Sequence, residues 1–303
     1  MVWSLIAVGW ITGRSGVMGD PAHARFVLNR ATFFVGSPAL VLVSLLDSDI
    51  AAVLGAPIVV ATAAGLGTGA LMLLVMRLFT KRSRVDALVT AICSSVANGG
   101  NMGFPIATYV LGSPAHALPV ILFQQALYTP IYQFGLHVVT SGRRPSPRAL
   151  AAGVVGVVGN PTILATVLGL VLLALDVRVP EFLLDPVHSL ADLAIPGMLM
   201  AFGLSLIGSH PLAAEEGNRK LVAVATAAKL GLMPAIAAGT GLVLGLAGHD
   251  LFAVVVMAAL PTAQNVFVAA SRFRASETLA RDTVLVTTIG TVAALLLVSA
   301  LLG

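Results

Sequence analysis

The stretch Asn98-Gly-Gly-Asn-Met-Gly-Phe-Pro105 constrains this chain more than any other. It lies in the middle of an apolar segment long enough to cross a membrane. A plain spanning helix does not tolerate this composition. Two adjacent glycines weaken helical order, and Pro105 removes a backbone donor and clashes with the carbonyl four residues back. Two asparagine amides at mid-depth are costly without partners. Non-helical backbone survives at that depth only where protein covers it or where it lines a cavity. A broken helix that offers amide groups inside a membrane is how many secondary transporters build a substrate site.

The rest of the chain is of the matching class. Of its 303 residues, 58% are hydrophobic and 10% are charged, and the mean hydropathy is +0.99. Soluble domains carry about 25% charged residues. An all-α integral membrane protein is therefore predicted; a β-barrel would show short alternating segments instead of long apolar runs. Apolar runs separated by charged or Pro/Gly-rich joints predict ten spans, at 1–13, 24–46, 51–77, 86–111, 117–139, 149–175, 186–208, 219–246, 251–271 and 281–302. The first is short, because at ~1.5 Å per residue it falls below ~30 Å of hydrocarbon. Either it continues to Met18 with Arg14 snorkelling, or the natural start lies upstream.

Loop charges orient these spans. With the N-terminus outside, the joints after spans 1, 3, 5, 7 and 9 face the cytoplasm. They hold Arg14, Arg25, Arg30, Arg77, Lys81, Arg82, Arg84, Arg143, Arg144, Arg148, Arg219, Lys220, Arg272, Arg274 and Arg281, fifteen of the seventeen basic residues. Only Arg178 falls in an outer joint, and Lys229 lies within a span. This is the positive-inside asymmetry, and it places both termini outside. The net charge of +4 is thus a topology signal and not a nucleic-acid signal.

Five spans on each side of the basic joint 141–148 predict two halves, 1–140 and 149–303. An odd number per half makes the second enter the membrane upside down, as an inverted repeat. The halves echo each other. Gly36-Ser-Pro38 in span 2 matches Ala194-Ile-Pro196 in span 7. The interruption in span 4 matches Leu260-Pro-Thr-Ala-Gln-Asn265 in span 9. If both interrupted spans unwind near the midplane and cross, four half-helix ends meet. The N-terminal ends carry roughly +0.5 charge each and free N–H groups, which favours an anion such as a carboxylate.

Asn98, Asn101, Gln264 and Asn265 can donate and accept hydrogen bonds at such a site. A second reading stays open for the first pair: hydrogen bonding between helices, with Gly99 and Gly103 as a small-residue packing face. Lys229 also has two readings. Its charge either compensates carbonyl ends or attracts an anion near the crossing, or else its head snorkels to the interface. No acid is expected near the centre of a span, since Asp86 and Asp192 lie near span starts; this argues against a carboxylate-based cation/proton exchanger. Gly65, Gly67 and Gly69 suggest close helix packing, Asn160-Pro161 a kink, and Gln124, Gln125, Tyr128 and Pro130 packing or a site lining. The lone Cys93, the scattered histidines and the absence of nucleotide, HExxH or GxSxG motifs leave no metal, cofactor or enzyme expectation.

Asn98-x-x-Asn101-x-Gly103-x-Pro105, with its apolar run to Gly112, resembles the fourth-span signature of the auxin efflux carrier family. That family includes plant PIN carriers and bacterial permeases for malate- or malonate-like acids. Asn160-Pro161 through Gly169-Leu170 resembles its sixth span, and Ala191-Asp-Leu-Ala-Ile-Pro196 running to Gly203-Leu-Ser-Leu206 its seventh. Leu260-Pro261-Thr-Ala-Gln264-Asn265 running to Arg272 resembles its ninth. The match covers nearly the whole chain in order. It implies a fold like that of bile-acid sodium symporters, with broken helices 4 and 9 crossing, a scaffold of spans 1, 2, 6 and 7, and a transport domain of spans 3–5 and 8–10. It further implies elevator-like transport of organic anions, often by a homodimer. The residues carried over are Asn98, Asn101, Pro105, Pro261, Gln264 and Asn265. The first span is shorter than the family's and the middle loop is short, so the chain reads as a bacterial, inner-membrane member. The expectation is a carrier of small carboxylates. A sodium-coupled symporter of bile-acid type and a non-transporting acid sensor are the alternatives.

Overall fold

In the computed structural model, residues 2–47, 54–142, 146, 155–177, 179–207 and 216–303 are described. The basic joint with Arg143, Arg144 and Arg148 lies outside them, as does Arg178. Among the described residues the regular structure is helical, apart from one isolated antiparallel bridge between Ala97 and Thr262. The helices are α1 (Val2–Arg14), α2 (Pro21–Leu46), α3 (Ala56–Phe79), α4 (Arg84–Ser95), α5 (Phe104–Val110) and α6 (118–141). They continue as α7 (Pro161–Ala174), α8 (Glu181–Ser205), α9 (Asn218–Val243), α10 (Gly248–Ala258), α11 (Gln264–Arg272) and α12 (Glu277–Leu302). Of these, α2, α3, α8, α9 and α12 are each long and apolar enough to cross a membrane, and α7 and α10 are shorter apolar helices.

Four prolines shape their helices alike, whereas Pro186 and Pro196 sit inside α8 without a π turn. π turns occur at Thr32–Gly36, Gly99–Gly103, Gln124–Tyr128 and Ala228–Leu232. Each ends two residues before a proline: Pro38, Pro105, Pro130 and Pro234. A proline ring crowds the carbonyl four residues earlier and offers that carbonyl no N–H. Widening the preceding turn to an i→i+5 pattern relieves both problems, so α2, α6 and α9 pass through their prolines without stopping. At Asn160-Pro161 the outcome differs from the expected kink. Asn160 is an N-cap whose side chain accepts the Thr162 N–H at 2.9 Å, and Pro161 opens α7. Proline belongs in a first turn, where no intrahelical bond is lost.

The chain divides into two compact units. The first comprises 1–53, 100–118 and 158–210, and so holds α1, α2, α5, α7 and α8. Here small residues let backbones meet. A Cβ at Gly9 would run into the Met200 carbonyl, and one at Gly203 into the Ile6 carbonyl. The short α1 is thereby seated directly on the backbone of α8. Gly36 and Gly197 bring α2 onto α8 against Ala194 and Thr32, and Gly169 brings α7 onto Leu42 and Leu45 of α2. Van der Waals packing of this kind is the main attraction available between helices in lipid.

The second unit comprises 54–99, 119–157 and 211–303, and so holds α3, α4, α6 and α9–α12. Gly65 accommodates the Phe123 ring, and Gly69 makes room for the Tyr128 hydroxyl, which bonds Ser95 Oγ at 2.6 Å. The glycines of α3 therefore serve close packing. Met72, Ala91 and Ala228 join α3, α4 and α9 in an apolar cluster. Span 4 is divided between the units: α4 groups with the second and α5 with the first.

Backbone-to-backbone seating of α1 on α8 gives a direct test. Gly203→Val should lower the stability of the purified protein by roughly 1–3 kcal/mol or more, read as a fall in Tm in detergent micelles. An unchanged Tm contradicts this packing.

Candidate functional site

The second unit contains two interrupted helices, and the interruptions have local causes. Ser83 caps α4 by accepting the Asp86 N–H at 3.0 Å, and the helix runs to Ser95. Val96 then turns extended, with φ −97° and ψ 110°. The run that follows, Asn98-Gly-Gly, is poor in helix formers. In the other segment Pro261 forces Leu260 away from helical backbone, and α10 ends at Ala258. The next helix, α11, restarts at Gln264 behind Ala263, which is extended (φ −67°, ψ 140°) and provides no side-chain cap.

The two interruptions pair with each other. The Asn98 N–H donates to Pro261 O at 2.8 Å, and the Ala263 N–H donates to Val96 O at 3.0 Å. Ala97 and Thr262 lie opposite one another between these bonds, as a short antiparallel pair. Around this pair, side chains and backbone supply further bonds; the Gly99 N–H donates to Ala97 O at 2.9 Å. Thr262 Oγ1 donates to Cys93 O at 2.6 Å, and the Thr262 N–H donates to Thr287 Oγ1 at 3.0 Å. Lys229 is fully buried, and its Nζ donates to Ala258 O at 2.7 Å. That carbonyl ends α10, where helix dipoles leave partial negative charge; a cationic donor there makes a strong hydrogen bond.

The structure thus places five of the candidate residues at or beside one break. Asn98 is buried, at 8% exposure, and Pro261 is buried behind it. Gln264 is half-buried and Asn265 exposed in the first turn of α11. Lys229 reaches the last carbonyl before the break. With 0% exposure it does not snorkel; its head group donates to a carbonyl at a helix end. Asn101, half-buried in the π turn Gly99–Gly103, and Pro105, buried in the first turn of α5, belong to the part of the chain that groups with the first unit.

Several groups escape sequence reasoning. Thr262 and Thr287 carry the bonds that complete the break. Their signal was a stripe of threonines, Thr283, Thr287 and Thr291, spaced four apart on the otherwise apolar α12, all with exposure of 1% or less. Asp282 is a second case. It lies in the second turn of α12, not at a helix centre, yet it is fully buried. Its Oδ1 is 2.9 Å from Arg281 Nη2, and its Oδ2 has no hydrogen-bond partner among the described residues.

Chemically, the arrangement offers the start of α11, with no side chain capping it, together with the amides of Asn98, Gln264 and Asn265. Such a helix start attracts anions. A nearby carbonyl end is already bonded by Lys229. Hydrogen-bond donors of this kind bind oxygen-rich anions.

Known proteins of similar sequence agree in kind. A family model described as "Membrane transport protein" matches residues 1–299. A protein of Rhizobium meliloti (strain 1021) described as a "Putative malonate transporter" is 27% identical over 300 residues, which is 96% of this chain and 90% of that one.

The pairing of the breaks can be tested without any ligand. Opposed residues of this non-hydrogen-bonded type have Cα atoms about 4.5 Å apart, within the span of a disulfide, ~4.4–6.8 Å. Ala97→Cys with Thr262→Cys, in a Cys93→Ser background, should form a disulfide under mild oxidation, seen as a linked peptide by mass spectrometry. Failure to cross-link in folded protein contradicts the pairing.

Proposed function

This chain belongs to the membrane transport protein family, that of the auxin efflux carriers, and on that premise we propose that it carries small carboxylates across a bacterial inner membrane. The observation that carries the reading is the antiparallel pairing of Val96–Asn98 with Pro261–Ala263, beside the uncapped start of α11. Two broken spans crossing at mid-depth give a carboxylate the N–H groups and amides it needs. Asn98, Asn101, Gln264 and Asn265 bind it; Pro105 and Pro261 keep the segments from closing into continuous helices. Lys229 contributes its charge at the carbonyl end of α10. The name of the Rhizobium relative makes malonate the first acid to try.

The mechanism is alternating access of the elevator type. Spans 1, 2, 6 and 7 act as scaffold, and spans 3–5 and 8–10 carry the site. Grouping of α1, α2, α7 and α8 apart from α3, α4, α6 and α9–α12 supports this division. The ten spans arise when α4 with α5, and α10 with α11, each count as one crossing, giving the inverted halves 1–140 and 149–303 about the linker 141–148. Both termini lie outside, as the loop charges require, and the carrier works as a homodimer.

Uptake of radiolabelled malonate into proteoliposomes tests the reading. Asn98→Ala and Asn265→Ala should each reduce uptake about 10- to 100-fold, the effect of losing a hydrogen bond to a charged group, while folded protein stays in the membrane. Undiminished uptake in both variants removes the site assignment. Running the same assay with and without a sodium gradient separates a uniporter from a sodium-coupled symporter.

A further inference from the structure

We infer that Thr262 and Thr287 are positioning residues for the anion site, holding the first turn of α11 where a bound carboxylate meets it. The inference rests on the transport reading above and adds two residues to it that touch no substrate.

Antiparallel pairing satisfies only some of the backbone at the crossing. Thr262 is in a position where its N–H points away from Ala97, so no partner in the paired segment can accept it. Thr287 Oγ1, on α12, accepts that N–H at 3.0 Å. A threonine hydroxyl has one proton and two lone pairs. The proton of Thr287 is committed to Thr283 O at 2.7 Å, so a lone pair is what it turns toward Thr262. The direction of the bonds is therefore fixed from the break toward α12.

Thr262 uses its own hydroxyl proton in the other direction, on Cys93 O at 2.6 Å. That carbonyl lies in the last turn of α4, whose final carbonyls have no partner within the helix. One residue thus ties together the end of α4, the break before α11 and the buried face of α12. Thr262, Thr283 and Thr287 are all fully buried, so water does not replace these bonds. Packing alone does not call for hydroxyls here: valine fills the same volume but leaves an amide or a carbonyl without a partner.

The consequence for function follows from chain distance. Gln264 and Asn265 lie two and three residues beyond Thr262. Freeing the Thr262 N–H lets the start of α11 drift, and binding groups lose effect when displaced by a fraction of an ångström to an ångström. Loss of the clasp should therefore appear as weaker substrate binding and not as a slower carrier.

Two readouts on the full chain in lipid test this. The first, amide hydrogen exchange at Thr262, needs no substrate. Thr287→Val should speed it about tenfold, by exposing a previously bonded amide to local opening, with α1 and α8 unchanged; Thr287→Ser should match wild type. The second is malonate uptake. Thr287→Val should raise KM about tenfold, equivalent to the loss of one hydrogen bond, at unchanged Vmax per folded carrier, and Thr287→Ser should restore it. Should Thr287→Val not reach the membrane, Thr262→Val and Thr262→Ser give the same comparison through the Cys93 bond. Unchanged exchange at Thr262 in Thr287→Val overturns the inference, as does a loss confined to Vmax or a serine variant that behaves like valine. Wild-type protein that takes up no carboxylate defeats the transport reading alone, and the exchange comparison still decides the clasp.

Discussion

A peptide group without a hydrogen-bond partner in a bilayer costs several kcal/mol, and the second unit of this chain is arranged around meeting that demand at two interruptions. Neither break can satisfy itself. Val96–Asn98 has left its helix, and Pro261 can donate nothing. Each supplies part of what the other lacks, through Asn98 to Pro261 and Ala263 to Val96. Two further groups are met by side chains from α9 and α12: Lys229 on Ala258 O, and Thr287 on the Thr262 N–H. Remove the demand and there is no reason for a lysine to be buried here or for a hydroxyl to stand at Thr287.

The same constraint supports the binding site proposed at this place. A continuous helix has no donors left to offer. A broken one must end and restart, and its restart carries positive partial charge. Lys229 already donates to a carbonyl end, and the start of α11 has no side-chain cap. Glycine at 99 permits close approach as well: a Cβ there would press on Val120 and Ile121 of α6 at 3.1–3.2 Å.

Much of this was legible in the sequence because its causes are local. Pro261 and the Asn98-Gly-Gly run disfavour helix through their own backbone chemistry, and their similar composition pointed to one another. The family resemblance agreed with the match over residues 1–299. What was not legible depends on partners distant in the chain. Thr287 Oγ1 meets the Thr262 N–H only after folding, and nothing local distinguishes it from a threonine bonded to its own helix, as Thr283 is. Lys229 left two readings open because its sequence shows burial and not what the head group reaches. Asn160-Pro161 was readable in principle: an asparagine before a proline is a helix start as well as a kink, and reading 149–175 as one span hid the difference.

Magic-angle-spinning NMR of the ¹⁵N-labelled protein in lipid, with malonate labelled at its carboxylate carbons, tests most directly whether the paired breaks are the anion site. The expected result is magnetisation transfer from the carboxylate to nitrogens of Asn98 and of Gln264 or Asn265, at hydrogen-bonding range. Bound malonate that transfers to none of these residues, and to other nitrogens instead, would contradict a site at the crossing.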